Sequence, residues 1–493
     1  MRKHTPVTEG LSTQLAELTL SVAHGPLAGM EVEAARRLVQ HAFGVAAASS
    51  ALPVSAIARA AAGSAQGPCL MFGSAASHLA QDAAFANGAT GHASLLEDSG
   101  PGGLACGSHP ATYVFPSALA AAQERNAAGM DLLRAICAAY ETVDRLGMLM
   151  TGEAAQRGFR AVSMLGPFGA VAAAGVLYGL SKAQLAAAYG IASNLAGGVN
   201  QGFLDGTMEP YLHPAFCARN GLMAARLAQA GCTASPYSLE GERGFFAAFA
   251  GRLPKMTGLG FYEGLPAPTC DEHESTPSDP DGVGKTSLAV CRVGAKKFAT
   301  CLYNQGTLAL VARSFPRGFS ASEVAQVKLS RPASGMHGLF APGVAQMPAR
   351  GNALQLQMSA RFTAAAALLG RPVESAAWFE GAMHDAEVDA LAQAMELATH
   401  ASDGIRIDVT LRNGRVETAQ SGTETVLVFS SECITAAFMQ RVHPVLGERT
   451  GEAEKLLTDL PRLASLDRLV SLFKIDSAMQ SLSRSQPKTR ISE

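Results

Sequence analysis

Apolar positions recur with helical spacing over the first half of the chain. Leu15, Leu18, Leu20 and Val22 open an apolar stretch. Val32, Ala35, Leu38, Val39 and Ala42 then fall on one face, with Glu33, Arg36 and Arg37 elsewhere. Alanine-rich segments return at 45–64, 117–140, 169–193 and 221–231. Alanine has the best intrinsic helix propensity, and its short side chain lets helices approach closely. Residues 12–250 therefore predict a multi-helix core with few strands.

The texture changes at 266–285, PAPTCDEHESTPSDPDGVGK, a polar, acidic run with four prolines. It predicts a linker or mobile loop. Beyond it, Ala325, Val327 and Leu329 alternate with Gln326 and Lys328, as in a strand. The runs 405–410 and 416–419 flank Asn413-Gly414, which predicts a hairpin with a type I′ turn. Helical spacing returns at 304–314, 359–369 and 386–398. The expected fold is mainly α. A helical domain, 1–275 with 431–493, is discontinuous, and a smaller α+β domain, 276–430, is inserted into it. The tail is helical over 452–482 and expected to be disordered after 483.

Composition narrows the classes. The chain has 493 residues, 48% apolar and 16% charged. A charged fraction below the usual ~25% means extensive burial, internally or between subunits. A net charge of −2 excludes a basic nucleic-acid footprint. The nine cysteines form no CxxC pair and no Cys/His cluster, so we expect reduced thiols and no metal site. The first ten residues lack an apolar signal core, and apolar runs such as 170–180 are short and glycine-broken. The expectation is a cytoplasmic protein without membrane or nucleic-acid partners. The run 282–286, GVGKT, resembles the end of a phosphate loop, but Asp279 stands where its first glycine belongs. Gly258-Leu259-Gly260 lacks the third glycine of a dinucleotide fingerprint.

Several collinear stretches resemble the MmgE/PrpD family, which includes 2-methylcitrate dehydratase, cis-aconitate decarboxylase and iminodisuccinate epimerase. They are GHASLLEDS at 91–99, SHP at 108–110 with VFPSALAAA at 114–122, and AYE at 139–141 with Arg145. They continue with RGF at 157–159 and LGPFGA at 165–170, DGTM at 205–208 and LHP at 212–214. LEG at 239–241 with Gly244-Phe245, and KKF at 296–298 with Cys301, complete the set. The resemblance covers roughly 10–460. It implies a helical domain closed by an α+β lid, an active site in the cleft, a homodimer and no organic cofactor.

The family's chemistry, on small di- or tricarboxylates, needs a proton-transfer group and fixed cations or donors for the developing charge. His109 aligns with a family histidine and is the expected acid/base, with an ordinary pKa near 6.5. Asp98 and Ser99 match the family's "DT" and are candidates to orient it or touch substrate; both residue types are also good helix caps. Lys296 is a catalytic candidate and Lys297 a carboxylate clamp. Arg160, Tyr211, His213, Glu209, Tyr303 and Gln305 are candidate substrate contacts. Glu141 and Arg145, four apart, read as a helix ion pair.

This chain also departs from the family pattern. Leu95 replaces an aspartate, Arg160 a histidine, Pro210 a lysine, Gln305 a histidine and Phe362 a tyrosine. Losing Lys and His while gaining Glu209 removes positive charge from one wall, and Arg160 restores a forked cation elsewhere. The expected activity is therefore a lyase-type elimination on a less anionic small molecule. An isomerase or epimerase using the same proton chemistry is the alternative, and a non-catalytic binding protein the third possibility.

Overall fold

The computed structural model describes residues 9–100, 108–150, 153–252, 287–332, 352–400, 404–421 and 427–476. The linker at 266–285, the phosphate-loop fragment, the boundary at 275/276 and the tail beyond 476 lie outside the described residues.

The helical half is built from α1 (Leu11–His24), α2 (Gly29–Ser49), α3 (Pro53–Ala62), α4 (Ala80–His92), α5 (Ala111–Glu124) and α6 (Gly129–Leu149). It continues with α7 (Glu153–Gln156), α8 (Ala161–Tyr178), α9 (Lys182–Ala192), α10 (Gln201–Asp205), α11 (Glu209–Gln229) and α12 (Phe245–Ala250). α8 is the centre, packed by α5, α6 and α11, and α11 also packs on α4. Close approach needs missing side chains. A Cβ on Gly221 of α11 would lie 2.3 Å from the Ala170 Cβ of α8, and one on Gly88 of α4 would lie 2.8 Å from the Ala215 Cα. α8 is apolar and long enough to cross a bilayer, with mean hydropathy 1.6, but 83% of it is buried inside this bundle.

A second core gathers α13 (Gln305–Ser314), α14 (Ala353–Met358), α15 (Ala360–Leu368), α16 (Ala376–Gly381) and α17 (Ala386–Ala394) with a four-stranded sheet. Two short strand pairs precede that sheet: β1 (Gln66–Leu70) with β2 (Ser77–His78), and β3 (Asp98–Ser99) with β4 (Gly294–Ala295). The sheet itself is β5 (Val324–Pro332), β6 (Glu396–His400), β7 (Ile405–Leu411) and β8 (Val416–Ser421), in the order β6-β5-β7-β8 with only β5 and β6 parallel. The C-terminal helices α18 (Ser431–Leu446), α19 (Thr450–Thr458) and α20 (Asp467–Leu472) return to the helical core, α18 against α2. Leu288, Ala289, Val290 and Val293 belong to the helical core and Phe298 to the second, so the chain crosses between cores at 294–297.

Three local expectations change. Val324 rather than Ala325 is buried, because a bulge between Val324 and Gln326 shifts the pleat before Val327 and Leu329. The hairpin turn has positive φ only at Gly414, with Leu411 N–H bonded to the Arg415 carbonyl, so it is a longer loop than type I′. The helix expected through 398 ends at Ala394, and 396–400 pairs as β6, where its backbone bonds to β5 outweigh helical propensity.

Candidate functional site

The site forms where element ends from both cores meet. α4 stops at His92, and 93–97 turns into β3 with Leu95 at φ 55°. β3 pairs with β4, Asp98 opposite Ala295, which delivers Lys296 beside Glu97. Lys296 Nζ lies 2.5 Å from Glu97 Oε1 and both are buried. Just past β4, Lys296 is buried and Lys297 turns out to solvent, against Phe298.

His109 sits just before α5 with φ 48°, an uncommon left-handed conformation for a non-glycine. Its Nδ1 is 2.7 Å from the Asp98 backbone carbonyl, which can only accept, so Nδ1 carries the proton. Nε2 is left with its lone pair 3.7 Å from Glu97 Oε1. Asp98's own carboxylate faces away from the imidazole: Oδ2 accepts from Tyr140 at 2.5 Å and Oδ1 from Ala111 N–H at 3.0 Å. Asp98 thus ties β3 to α5 and α6 and supports His109 through its backbone. Ser99 Oγ is buried without a hydrogen-bond partner among the described residues.

Arg160 caps the start of α8. Its guanidinium donates to the Pro210 carbonyl at 2.5 Å and to His92 Nε2 at 2.7 Å, and lies 4.6 Å from the Phe203 ring centroid. Arginine can only donate, so His92 carries its proton on Nδ1, 3.4 Å from Glu97 Oε2, an ion-pair distance without hydrogen-bond alignment. Among the described residues no carboxylate comes within ion-pair distance of Arg160. Tyr211, in the first turn of α11, meets His92 edge-on at 6.0 Å and donates to Gln357 Oε1 at 2.8 Å. Gln357 in turn donates to the Ser94 and Ala299 carbonyls, at 3.2 and 2.9 Å, stitching the two cores together. Among the described residues, His213 Nδ1 and Ser163 Oγ are buried without hydrogen-bond partners.

Burial sets the protonation states. It pushes His109 down to about 3, with Lys296 helping and Glu97 opposing. Burial likewise lowers His92 to about 4 and His213 to about 3. The ordinary histidine pKa expected for His109 is therefore replaced by that of a neutral imidazole, a base without a proton to give. Burial would raise Glu97, but the Lys296 ammonium overcomes it and holds the carboxylate well below its ordinary range. Burial raises Asp98 to about 6 against the Tyr140 and Ala111 hydrogen bonds.

His109, Lys296, Arg160, Tyr211 and His213 are thus buried around Glu97 and His92, linked by direct contacts or by mutual electrostatics. Other candidates are not brought in. Glu209, Lys297 and Tyr303 are exposed. Gln305 spends its amide on the Lys297, Phe298 and Thr300 backbone, holding the turn that carries Lys296. Phe362 stacks on Trp378 in the second core. Glu141 pairs with Arg145 as expected, and also accepts from Ala289 N–H. Sequence reasoning missed Glu97, His92 and Gln357. The first two lie in the run at 91–99, His92 ending α4 and Glu97 just before β3, where every residue from 92 to 99 is buried and no alternation marks them out. Among the described residues no three His, Cys, Asp or Glu side chains form a metal-holding group.

Comparison with known proteins agrees with this architecture. Residues 13–256 match the MmgE/PrpD N-terminal domain. The chain belongs to the MmgE/PrpD family. Over 174 residues it is 33% identical to a cis-aconitate decarboxylase-like protein, oryM, of Aspergillus oryzae (strain ATCC 42149 / RIB 40), covering 34% of this chain and 35% of the relative. Over 184 residues it is 33% identical to the cis-aconitate decarboxylase of Homo sapiens, covering 35% and 36%. The chain therefore matches about a third of the length of these relatives. The MmgE/PrpD relatives are named for a decarboxylation, and in this chain the matched helical half supplies His92, Glu97, His109 and Arg160.

Proposed function

We propose that this chain is a lyase of the dehydratase/decarboxylase type acting on a small carboxylate, without an organic cofactor, as a cytoplasmic homodimer. The carrying observation is His109: a buried neutral imidazole whose Nδ1 is tied to a backbone carbonyl and whose Nε2 faces the Glu97–Lys296 pair.

In this reading Nε2 takes a proton from the carbon beside the substrate carboxylate. Loss of carbon dioxide would leave the C–C bonding pair on carbon, to be protonated by water; in a dehydration the C–H electron pair becomes the new double bond as the leaving group departs with its own bonding pair. The resulting imidazolium gains Glu97 as a close counter-charge, and it returns its proton to the leaving group. Arg160 and Lys296 stabilise the substrate carboxylate and the enolate-like charge that develops on it. The changes at 95, 160 and 210 argue for a substrate other than 2-methylcitrate or cis-aconitate.

The test is the purified chain in heavy water with a panel of small carboxylates, these two included, followed by mass spectrometry. The expected result is loss of a leaving group from another panel member, abolished by His109→Asn, which tolerates the positive φ. Robust turnover of 2-methylcitrate or cis-aconitate overturns the altered substrate. Deuterium uptake without fragment loss makes the chain an isomerase, and His109-independent biological activity makes it non-catalytic.

A further inference from the structure

The ion cluster has an apolar neighbour. Leu95, 3% exposed, packs with Phe203 and Tyr211 from the helical half and with Leu354 and Met358 from the second core. Phe203 and Tyr211 belong to both sides: the first is stacked by Arg160 and the second meets His92 edge-on. Among the described residues, the site therefore presents a buried cation without a carboxylate partner on one side and a hydrocarbon wall immediately beside it.

Leu95 holds this place at a conformational cost. At φ 55° its Cβ is crowded by the following carbonyl, a strain that L-residues other than Asn and Asp rarely accept. The same short loop places Ser94 and Leu96 by their carbonyls, bonded to Gln357 and His41. The loop is thus fixed from both cores, with Leu95 packed where residues of the two meet and Leu96 packed into the second core. Ser163 Oγ and His213 Nδ1, buried and without hydrogen-bond partners among the described residues, add polar capacity near Arg160, at the start of α8, not on the Leu95 wall.

We infer that Leu95 sets substrate choice, and that the site takes a carboxylate with an apolar carbon arm. The carboxylate lies on Arg160 and the arm against Leu95, Phe203, Leu354 and Met358. This rests on the carboxylate-lyase reading above and narrows it to substrates with few charges.

Binding tests it without requiring turnover. The probes are hexanoate and propane-1,2,3-tricarboxylate, equal in carbon count, titrated calorimetrically into the full chain. Hexanoate is expected to bind at least tenfold more tightly. Leu95→Asn, which suits a positive φ, should weaken hexanoate about tenfold, the scale on which a hydrophobic pocket wall discriminates one methylene. Met358→Ala should weaken it in the same direction from the opposite core. Tighter binding of the tricarboxylate, no binding of either probe, or unchanged hexanoate affinity in both variants overturns the inference. Tight hexanoate binding in a chain that performs no proton chemistry supports the inference and removes the lyase reading instead.

Discussion

Lys296 Nζ and Glu97 Oε1 are 2.5 Å apart although 199 residues separate them in the chain. The pair is buried on both sides. Its Lys296 directly follows β4, and its Glu97 precedes β3, so one two-residue strand pairing holds the charged centre together.

Breaking that pair leaves a charge stranded. Lys296→Met should destabilise the fold by about 3–5 kcal/mol, because Glu97 then remains buried without its cation. The double variant Lys296→Met with Glu97→Gln should recover much of this. Urea unfolding of the four proteins measures the coupling, and additive losses would show that the pair contributes no interaction of its own.

Acid should unfold the protein through its histidines. The folded-state values of His41, His109 and His213 are about 3 and that of His92 about 4, each pushed down chiefly by burial. Between those values and about 6.5 the unfolded chain binds more protons, so this stability is present above pH 6.5 and is lost as pH falls. Asp98, raised to about 6, acts in the opposite sense between about 3.8 and 6. Each fully titrating histidine contributes about 1.4 kcal/mol per pH unit. Denaturation at pH 7, 6 and 5 should show stability falling with acidity, and His213→Gln should reduce the slope by one histidine's share.

Arg160 should not tolerate lysine. Its fork serves the Pro210 carbonyl and His92 Nε2 at once, and an ammonium cannot hold both directions while stacking on Phe203. Arg160→Lys should raise the KM for the carboxylate substrate about tenfold, the loss of roughly one charge-assisted hydrogen bond. Steady-state kinetics decide: a fall confined to kcat would place Arg160 in the chemical step rather than in binding.

The helical half was legible because helical periodicity and alanine content are local properties. Residues 32–42 follow one face in the sequence and form part of α2, with Ala35, Leu38, Val39 and Ala42 buried. The collinear motifs likewise pointed to the region of the site through His109, Arg160 and Lys296. Burial was less legible. Lys296 and Lys297 are identical in type and adjacent, and only the pairing of β4 with β3 decides which one enters. Gln305 looked like a substrate contact, yet its backbone partners exist only once 297–300 curls around it.

The sequence by itself determined the class of fold and the stretches from which a site could be drawn, since periodicity, composition and motif order are written along the chain. Only the tertiary structure decided which ionisable groups act together and in what charge state. Glu97, His92 and the leucine wall acquired their roles because long-range pairing removed them from water, and desolvation outweighs a residue's intrinsic proton affinity once its neighbours are fixed.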